Sequence, residues 1–298
     1  MSPSANRDTI SLEDAEIISR RSFPGDQHII RLAAPRCAAK ATPGSFAHLT
    51  CDPTVPMRRP LSIMLADADA GWVEFLFKPV GRGLAQLAQR PIGDRVSLLG
   101  PIGHGFDPDP SRKQIIAIGG GVGIPPVFFL AERLRSNSDF ELLVLMGSEV
   151  PFPFELNDSS DEIKGIASEV FKEVGDLAGW GIPSRLASNA GFEGCHAGFV
   201  PDLARDWLRA RTSAELANVQ IVACGPMAML EVTAVLAQEF DLPCQVAVEE
   251  YMACGVGGCA GCTLLVQTPA GPAMKRVCVD GPVFEAREVF ADIPAAAV

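Results

Sequence analysis

The sequence has few basic residues for its acidic content. Its 298 residues include 25 lysines and arginines against 36 aspartates and glutamates, a formal net charge of −11. This balance disfavours the basic groove that binds nucleic acid and the polybasic segment that tethers proteins to anionic membranes. The four histidines are isolated, and no Ser/His/Asp or metal-hydrolase constellation is readable. We therefore expect neither a nucleic-acid partner nor a hydrolytic site.

A hydrophobic run able to cross a membrane is also missing. The longest uncharged run, residues 114–131, contains four glycines and two prolines, which would break a membrane helix. The N-terminal residues carry acids where a signal peptide has an apolar core. The nine cysteines therefore predict free thiols and not a disulfide framework. We expect a cytoplasmic protein without membrane contact.

Three segments with different patterns follow one another along the chain. Residues 1–110 contain short strand-like runs separated by turns, which predict an antiparallel β-barrel. Residues 111–242 alternate apolar strands with helices, which is typical of a doubly wound parallel sheet. In residues 243–298 glycine and cysteine concentrate and regular periodicity fades, so we expect a small third domain.

One helix of the second segment is predicted from its cap. Residues 159–162, Ser-Ser-Asp-Glu, have the form of a capping box. Apolar residues then recur at helical spacing as far as Val174. We predict an amphipathic helix here, within a segment at residues 148–186. The segment could provide a partner surface or additional packing, and the pattern favours packing.

Four cysteines near the C-terminus have the most specific spacing. Cys254, Cys259 and Cys262 form a C-x4-C-x2-C run that Cys278 follows, which is the plant-type [2Fe–2S] pattern. A short loop supplies three thiolates to one cluster only by curling around it, and glycine permits the positive φ values that this requires. A structural zinc site is the alternative, although such sites usually use two short cysteine knuckles.

Two motifs of the first segment suit a flavin dinucleotide. The Arg-Pro-Leu-Ser run at residues 59–62 offers an arginine for a pyrophosphate and a hydroxyl for the polar edge of a flavin. The Gly-Arg-Gly run at residues 81–83 precedes a predicted helix whose N-terminus would bind phosphate.

Two strand-to-helix turns of the second segment suit another dinucleotide. Residues 119–123, Gly-Gly-Gly-Val-Gly, follow a buried strand and would let the backbone approach a pyrophosphate. They do not form the ordinary Rossmann fingerprint, and a tight turn without a ligand is the plain alternative. Residues 223–227, Ala-Cys-Gly-Pro-Met, stand at the end of another predicted strand, where parallel sheets bind ligands.

These four motifs, in this order, resemble the ferredoxin–NADP reductase superfamily. The stretch at residues 249–284, from Glu-Glu-Tyr-Met-Ala-Cys to Cys-Val-Asp-Gly-Pro-Val-Phe, narrows the resemblance to the electron-transfer subunits of NAD-dependent dihydroorotate dehydrogenases. The resemblance covers nearly the whole chain. It implies an FAD-binding β-barrel at residues 1–110, an NAD-binding α/β domain at 111–242 and a [2Fe–2S] domain at 243–298.

The resemblance also implies roles for individual residues. Ser62 and Cys224 are the implied catalytic residues, with Cys224 near the nicotinamide ring. The implied contacts to FAD and NAD(H) are Arg59, Pro60, Leu61, Ser62, Leu76, Phe77, Lys78, Gly81, Gly83, Leu84, Gly119, Gly120, Gly121, Gly123, Cys224, Gly225, Pro226 and Met227. The implied cluster ligands are Cys254, Cys259, Cys262 and Cys278. Leu84 stands where the family usually has threonine, which removes one hydroxyl contact to FAD.

The implied function is electron transfer in pyrimidine biosynthesis. In such a system electrons pass from dihydroorotate through FMN in a separate catalytic subunit, then through the cluster and FAD to NAD⁺, within a heterotetramer. Nothing in this chain suggests a dihydroorotate site, so the resemblance implies that partner. Glu149, after the strand that would end near the adenosine ribose, would repel a 2′-phosphate and favours NADH over NADPH.

Two alternatives stay open at this stage. A reductase of the same superfamily could serve an oxygenase, a hydrogenase or another dehydrogenase. A non-redox scaffold subunit could instead bind zinc through the four cysteines.

Overall fold

The first part of the computed structural model, which describes residues 9–291, is a closed six-stranded barrel. Its strands are β1 (Ser11–Phe23), β2 (Gln27–Ala33), β3 (Phe46–Thr50), β4 (Arg59–Asp67), β5 (Trp72–Phe77) and β6 (Arg95–Ile102), with helices α1 (Pro35–Ala38) and α2 (Gly81–Leu87) between them. The strands close in the order β1-β2-β5-β4-β3-β6, and every neighbouring pair is antiparallel. The predicted antiparallel barrel is confirmed.

Side-chain alternation along β3 gives the barrel two apolar faces. Ala47 and Leu49 lie in the barrel core, whereas Phe46 belongs to a different buried cluster that contains residues of the following sheet. Successive side chains of a strand point to opposite faces. The outer face of β3 and β4 is therefore turned towards the rest of the protein.

The second part is a six-stranded sheet covered by helices. Its elements are β7 (Gln114–Gly120), a 3-10 turn (Gly121–Gly123), α3 (Ile124–Leu134), β8 (Glu141–Gly147), β9 (Leu156–Asp158), β10 (Lys172–Val174), α4 (Gly175–Gly179), β11 (Ser184–Ala187), α5 (Val200–Arg209), α6 (Ser213–Leu216), β12 (Val219–Cys224) and α7 (Met227–Glu239). The order β11-β8-β7-β12 is parallel throughout, as predicted.

The C-terminal part completes this sheet before forming a hairpin of its own. Its elements are β13 (Cys244–Ala247), β14 (Thr263–Thr268), β15 (Gly271–Arg276), α8 (Val277–Asp280), β16 (Val283–Glu285) and α9 (Ala286–Val289). Strand β13 pairs in parallel with β12, and β16 pairs antiparallel with β13 at the sheet edge. Strands β14 and β15 pair only with each other. Residues 1–8 and 292–298 of the predicted first and third domains lie outside the described residues.

The amphipathic helix predicted after residue 162 is wrong. The Ser159 N–H donates to the Phe171 carbonyl at 2.9 Å and extends the β9–β10 hairpin, so residue 159 caps no helix. Gly165 has a φ of +88°, which is outside the helical region. Ile163 and Ile166 still pack against the sheet core. The periodic apolar residues are thus buried by an irregular loop, and a capping box forms instead at the start of α6.

Every helix among residues 9–291 is too short or too polar to cross a membrane.

Candidate functional site

The Arg-Pro-Leu-Ser run forms the start of β4. Register pairs Phe46 with Ser62, and His48 with Pro60, across the β3–β4 ladder. Directly paired side chains share one face of a sheet, so Pro60 and Ser62 lie on the outer face. Leu61 points into the barrel core. In this run the side chains of Pro60 and Ser62 are therefore available to FAD, whereas that of Leu61 is not.

The second strand of the candidate flavin site contributes differently. Leu76 and Phe77 are buried in apolar clusters at the end of β5, so only their backbone is available to a ligand. Lys78, which follows the strand, is half-buried.

The Arg59 side chain extends from the start of β4 to the first turn of α2, which is the predicted pyrophosphate turn. A Cβ built on Gly83 would lie 3.3 Å from the Arg59 Nε, whereas one built on Gly81 would meet nothing within 4 Å. The Arg59 guanidinium is held by the Met57 carbonyl, which accepts a hydrogen bond at 2.8 Å. Leu84 packs against the barrel core. A fixed positive charge beside a backbone free of side chains fits a flavin pyrophosphate.

Loss of the Arg59 guanidinium should weaken FAD retention. A hydrogen bond to a charged group contributes about 1.5–3 kcal/mol, so we expect Arg59→Ala to bind FAD about 10- to 100-fold more weakly. Flavin fluorescence titration of the apoprotein measures this constant. Arg209→Ala is the control, because Arg209 forms only a surface ion pair with Glu239. Equal FAD affinity in the two variants would contradict the assignment.

The two predicted nucleotide turns meet at the carboxyl ends of β7 and β12, where Gly119 and Cys224 are register partners. A Cβ on Gly123 would lie 2.5 Å from the Gly225 Cα, and one on Gly120 would lie 2.4 Å from the Met229 Sδ. The turns therefore touch through glycine backbones. Of the other predicted residues, Gly121 adjoins this contact at the start of the 3-10 turn, and Pro226 and Met227 are exposed at the start of α7. Such a groove of bare backbone fits a dinucleotide.

Cys224 closes the base of this groove. Its side chain is buried, and burial, followed by the negative charge of Glu249, raises the pKa of the Cys224 thiol well above its usual value. The thiol is therefore protonated at neutral pH. Glu249 follows β13, and its interaction with Cys224 did not emerge from sequence analysis. Glu249 belongs to the Glu-Glu pair that opens the C-terminal motif and is visible in the sequence. Its position near Cys224 depends on the parallel pairing of β12 with β13, which the sequence does not show.

The four C-terminal cysteines come together as two pairs. The Sγ atoms of Cys262 and Cys278 are 3.3 Å apart, and the side chains of Cys254 and Cys259 lie close enough to interact. Within residues 9–291 no three His, Cys, Asp or Glu side chains are arranged to hold a single metal ion. A two-iron cluster takes two ligands on each iron, so two thiol pairs fit it better than they fit one zinc ion.

Backbone geometry around these cysteines favours thiolates. The loop curls through Gly255 and Gly257, at φ values of +68° and +81°. The N–H groups of Val256 and Gly261 donate to the Sγ atoms of Cys254 and Cys259, each at 3.4 Å. Burial acts to raise the pKa of Cys254, but backbone N–H groups beginning with Val256 outweigh it and lower that pKa to about 7.

The cysteine loop packs directly on the barrel. Phe46 and Ile102 share a buried apolar cluster with Cys262 and Cys278. The His104 N–H, just beyond β6, donates to the Gly281 carbonyl at 2.6 Å. The candidate cluster loop thus lies against β3, which pairs with the candidate flavin strand β4, and the sequence motifs alone did not show this.

The predicted adenosine end of the nucleotide groove follows β8. The Ser148 hydroxyl donates to the Val150 carbonyl at 2.8 Å and is buried, whereas Glu149 is exposed. Glu149 is thus the charged group available to a ribose substituent.

Solved structures with this fold are reductases. The structure of an NADH-dependent reduced ferredoxin–NADP oxidoreductase matches with a TM-score of 0.74 and 22% identity, covering 95% of this chain and 94% of the other. Phthalate dioxygenase reductase matches with a TM-score of 0.55 and 14% identity, covering 89% and 76%. The barrel, the parallel sheet and the cysteine loop define a protein with the fold of the ferredoxin reductases and a cysteine-rich C-terminal segment.

The particular family follows from sequence relatives. Residues 249–290 match the iron–sulfur cluster binding domain of dihydroorotate dehydrogenase B. The dihydroorotate dehydrogenase B (NAD(+)) electron transfer subunits of Desulforamulus reducens and Geobacillus thermodenitrificans are 30% and 32% identical, over 93% and 94% of this chain and 97% and 99% of theirs. The chain belongs to this family of electron transfer subunits, which confirms the resemblance seen in the motifs.

Proposed function

We propose that this chain relays electrons between a dihydroorotate-oxidising, FMN-containing partner subunit and NAD(H), through a [2Fe–2S] cluster and FAD. The close approach of the cysteine loop to β3, the strand that pairs with β4, carries this proposal. An electron relay requires its redox groups to be held next to one another, and a scaffold has no such requirement.

The residues of the chain would bind and orient these groups. FAD, when bound, supplies the exchange of a hydride with nicotinamide and of single electrons with a cluster. Arg59 would hold the flavin pyrophosphate, with Ser62 at the flavin edge. The turns that meet at Gly123 would hold the nicotinamide dinucleotide, and the protonated Cys224 would lie beside its ring. The two cysteine pairs would hold the cluster.

The cluster end of the chain is open to a partner. Cys259 is exposed, and Tyr251 is 93% exposed beside the loop. A cluster held there would lie near the surface, which supports electron exchange with a separate subunit. We propose that this subunit is an FMN-containing dihydroorotate dehydrogenase and that the two chains assemble as a heterotetramer.

An anaerobic titration with NADH tests the relay. We expect flavin absorbance to bleach together with the broad iron–sulfur bands, and dihydroorotate to reduce NAD⁺ once the FMN subunit is added. Zinc without iron in a colourless protein would select a scaffold instead. A working relay that accepts no electrons from the FMN subunit would select a reductase with another partner.

Glu149 should set the preference for NADH. Its carboxylate would repel a 2′-phosphate by about 1 kcal/mol in a solvated site, so we expect Glu149→Gln to raise the kcat/KM ratio of NADPH to NADH by about fivefold. Steady-state reduction of an artificial acceptor measures the ratio. Glu141→Gln is the control, because Glu141 is an exposed glutamate at the opposite end of β8. An unchanged ratio in Glu149→Gln would refute this role.

Domain division and location are part of the proposal. We place the domains at residues 1–110, 111–242 and 243–298, with β13 and β16 docking the third into the sheet of the second. We also propose a cytoplasmic location, because nine free cysteines suit a reducing compartment.

A further inference from the structure

His48 is a polar side chain buried between the two halves of the candidate site. It is 0% exposed on β3, where it pairs with Pro60 and shares the outer face with Ser62. A Cβ built on Gly255 would lie 2.8 Å from the His48 Nδ1, and Gly255 directly follows Cys254. The imidazole thus lies beside both the candidate flavin strand β4 and the cysteine loop.

Both ring nitrogens of His48 lack a hydrogen-bond partner among residues 9–291. A buried polar group that is left without a hydrogen bond destabilises the folded protein. The backbone of the same residue is satisfied, because its carbonyl accepts a hydrogen bond from the Arg58 guanidinium at 3.1 Å. The unpaired nitrogens therefore point to a partner that the described chain does not supply.

The imidazole carries at least one N–H donor in either of its protonation states. A neutral imidazole carries one N–H donor and one acceptor nitrogen. One N–H donor is therefore available beside the loop that bears the cysteines.

We propose that His48 is a positioning residue through which the barrel sets the reduction potential of the cluster. Hydrogen bonds and burial around the sulfurs of a cluster tune its potential. A donor stabilises the more negative, reduced form, so its removal lowers the potential. The ring also fixes the loop against β3, since Gly255 leaves no room for a side chain there. This inference rests on the proposed function.

The test compares three variants of the full chain carrying its iron–sulfur cluster and FAD. His48→Leu keeps most of the side-chain volume and removes both nitrogens, whereas His48→Gln keeps a donor and an acceptor. His196→Leu is the matched control, because His196 bridges to Ala187 at the sheet edge opposite β16. EPR-monitored titration gives the cluster potential, and absorbance gives the flavin potential.

We expect His48→Leu to lower the cluster potential by an amount that changes the one-electron equilibrium about tenfold, which is about 59 mV. The potential of His48→Gln should lie closer to that of the wild type. The flavin potential should stay unchanged throughout, as should both potentials in the His196 control.

Equal cluster potentials in wild type and His48→Leu, or a shift confined to the flavin, would overturn the proposal. If His48→Leu loses its iron, His48→Asn replaces it, because the shorter amide withdraws from the loop, and an unchanged cluster potential there overturns the proposal equally. A wild-type chain that holds no iron–sulfur cluster would overturn the proposed function instead. The two failures are therefore distinguishable.

Discussion

Replacing Cys259 by serine is expected to remove the [2Fe–2S] cluster and to leave the reduction of flavin by NADH intact. Cys259 pairs with Cys254, so its loss leaves one iron with a single thiolate. Its side chain is exposed, and the substitution removes no buried packing. Removing a residue that only hydrogen-bonds a metal ligand already costs up to about 100-fold in activity. Removing a ligand itself should therefore lower electron delivery to a one-electron acceptor by at least about 100-fold.

Iron analysis, EPR of the reduced protein and stopped-flow flavin reduction measure the three parts of this result. Cys195→Ser is the matched control, because Cys195 is a half-buried free thiol in a different loop. That variant should keep its iron and its EPR signal. Normal iron content and EPR in Cys259→Ser would show that Cys259 is not a ligand.

The fold was predictable because its elements obey local rules. Strand β3 is a short run of strand-forming residues between turns, and the apolar strands β7 and β12 are each followed by a glycine-containing turn and a helix. Such signals depend on few distant contacts, so the sequence alone expresses them.

The wrong helix shows where local rules end. The residues from Ile163 to Val174 have helical spacing, but Gly165 takes a positive φ and its Cβ position lies 2.7 Å from the Ala210 Cβ. Arg185, fully buried on β11, also donates a hydrogen bond to the Asp161 carbonyl, which holds this segment as a loop. These are tertiary contacts, and they cannot be predicted from the spacing of apolar residues along the sequence.

The candidate site was predictable in its parts but not in its arrangement. Glycine turns and spaced cysteines are motifs of a few consecutive residues, so Gly123 and Cys259 can be recognised in the sequence. His48 does not, because one isolated histidine in a strand has the same pattern as a packed core residue. His48 comes to lie between the two candidate redox sites only because β3 pairs with β4 and because Gly255 of the cysteine loop packs against the imidazole.

Gly123→Ala is expected to reduce NADH-dependent flavin reduction by about 100-fold, the penalty for displacing a reactant by about 1 Å. The added Cβ would lie 2.5 Å from the Cα and N of Gly225 and 2.6 Å from the carbonyl carbon of Cys224. All three are backbone atoms, so the two nucleotide turns must separate. Overpacking of this kind also costs about 1–3 kcal/mol of stability.

Dithionite distinguishes a damaged nucleotide groove from a damaged protein. It should reduce the flavin and the cluster of Gly123→Ala as in the wild type, because neither the barrel nor the cysteine loop contacts the new methyl group directly. Gly179→Ala is the matched control, since a Cβ there meets no atom within 4 Å. Its NADH reaction should be unchanged. Wild-type NADH rates in Gly123→Ala would mean that the turns at Gly123 and Gly225 do not form the nicotinamide site, and the hydride would have to enter the relay elsewhere.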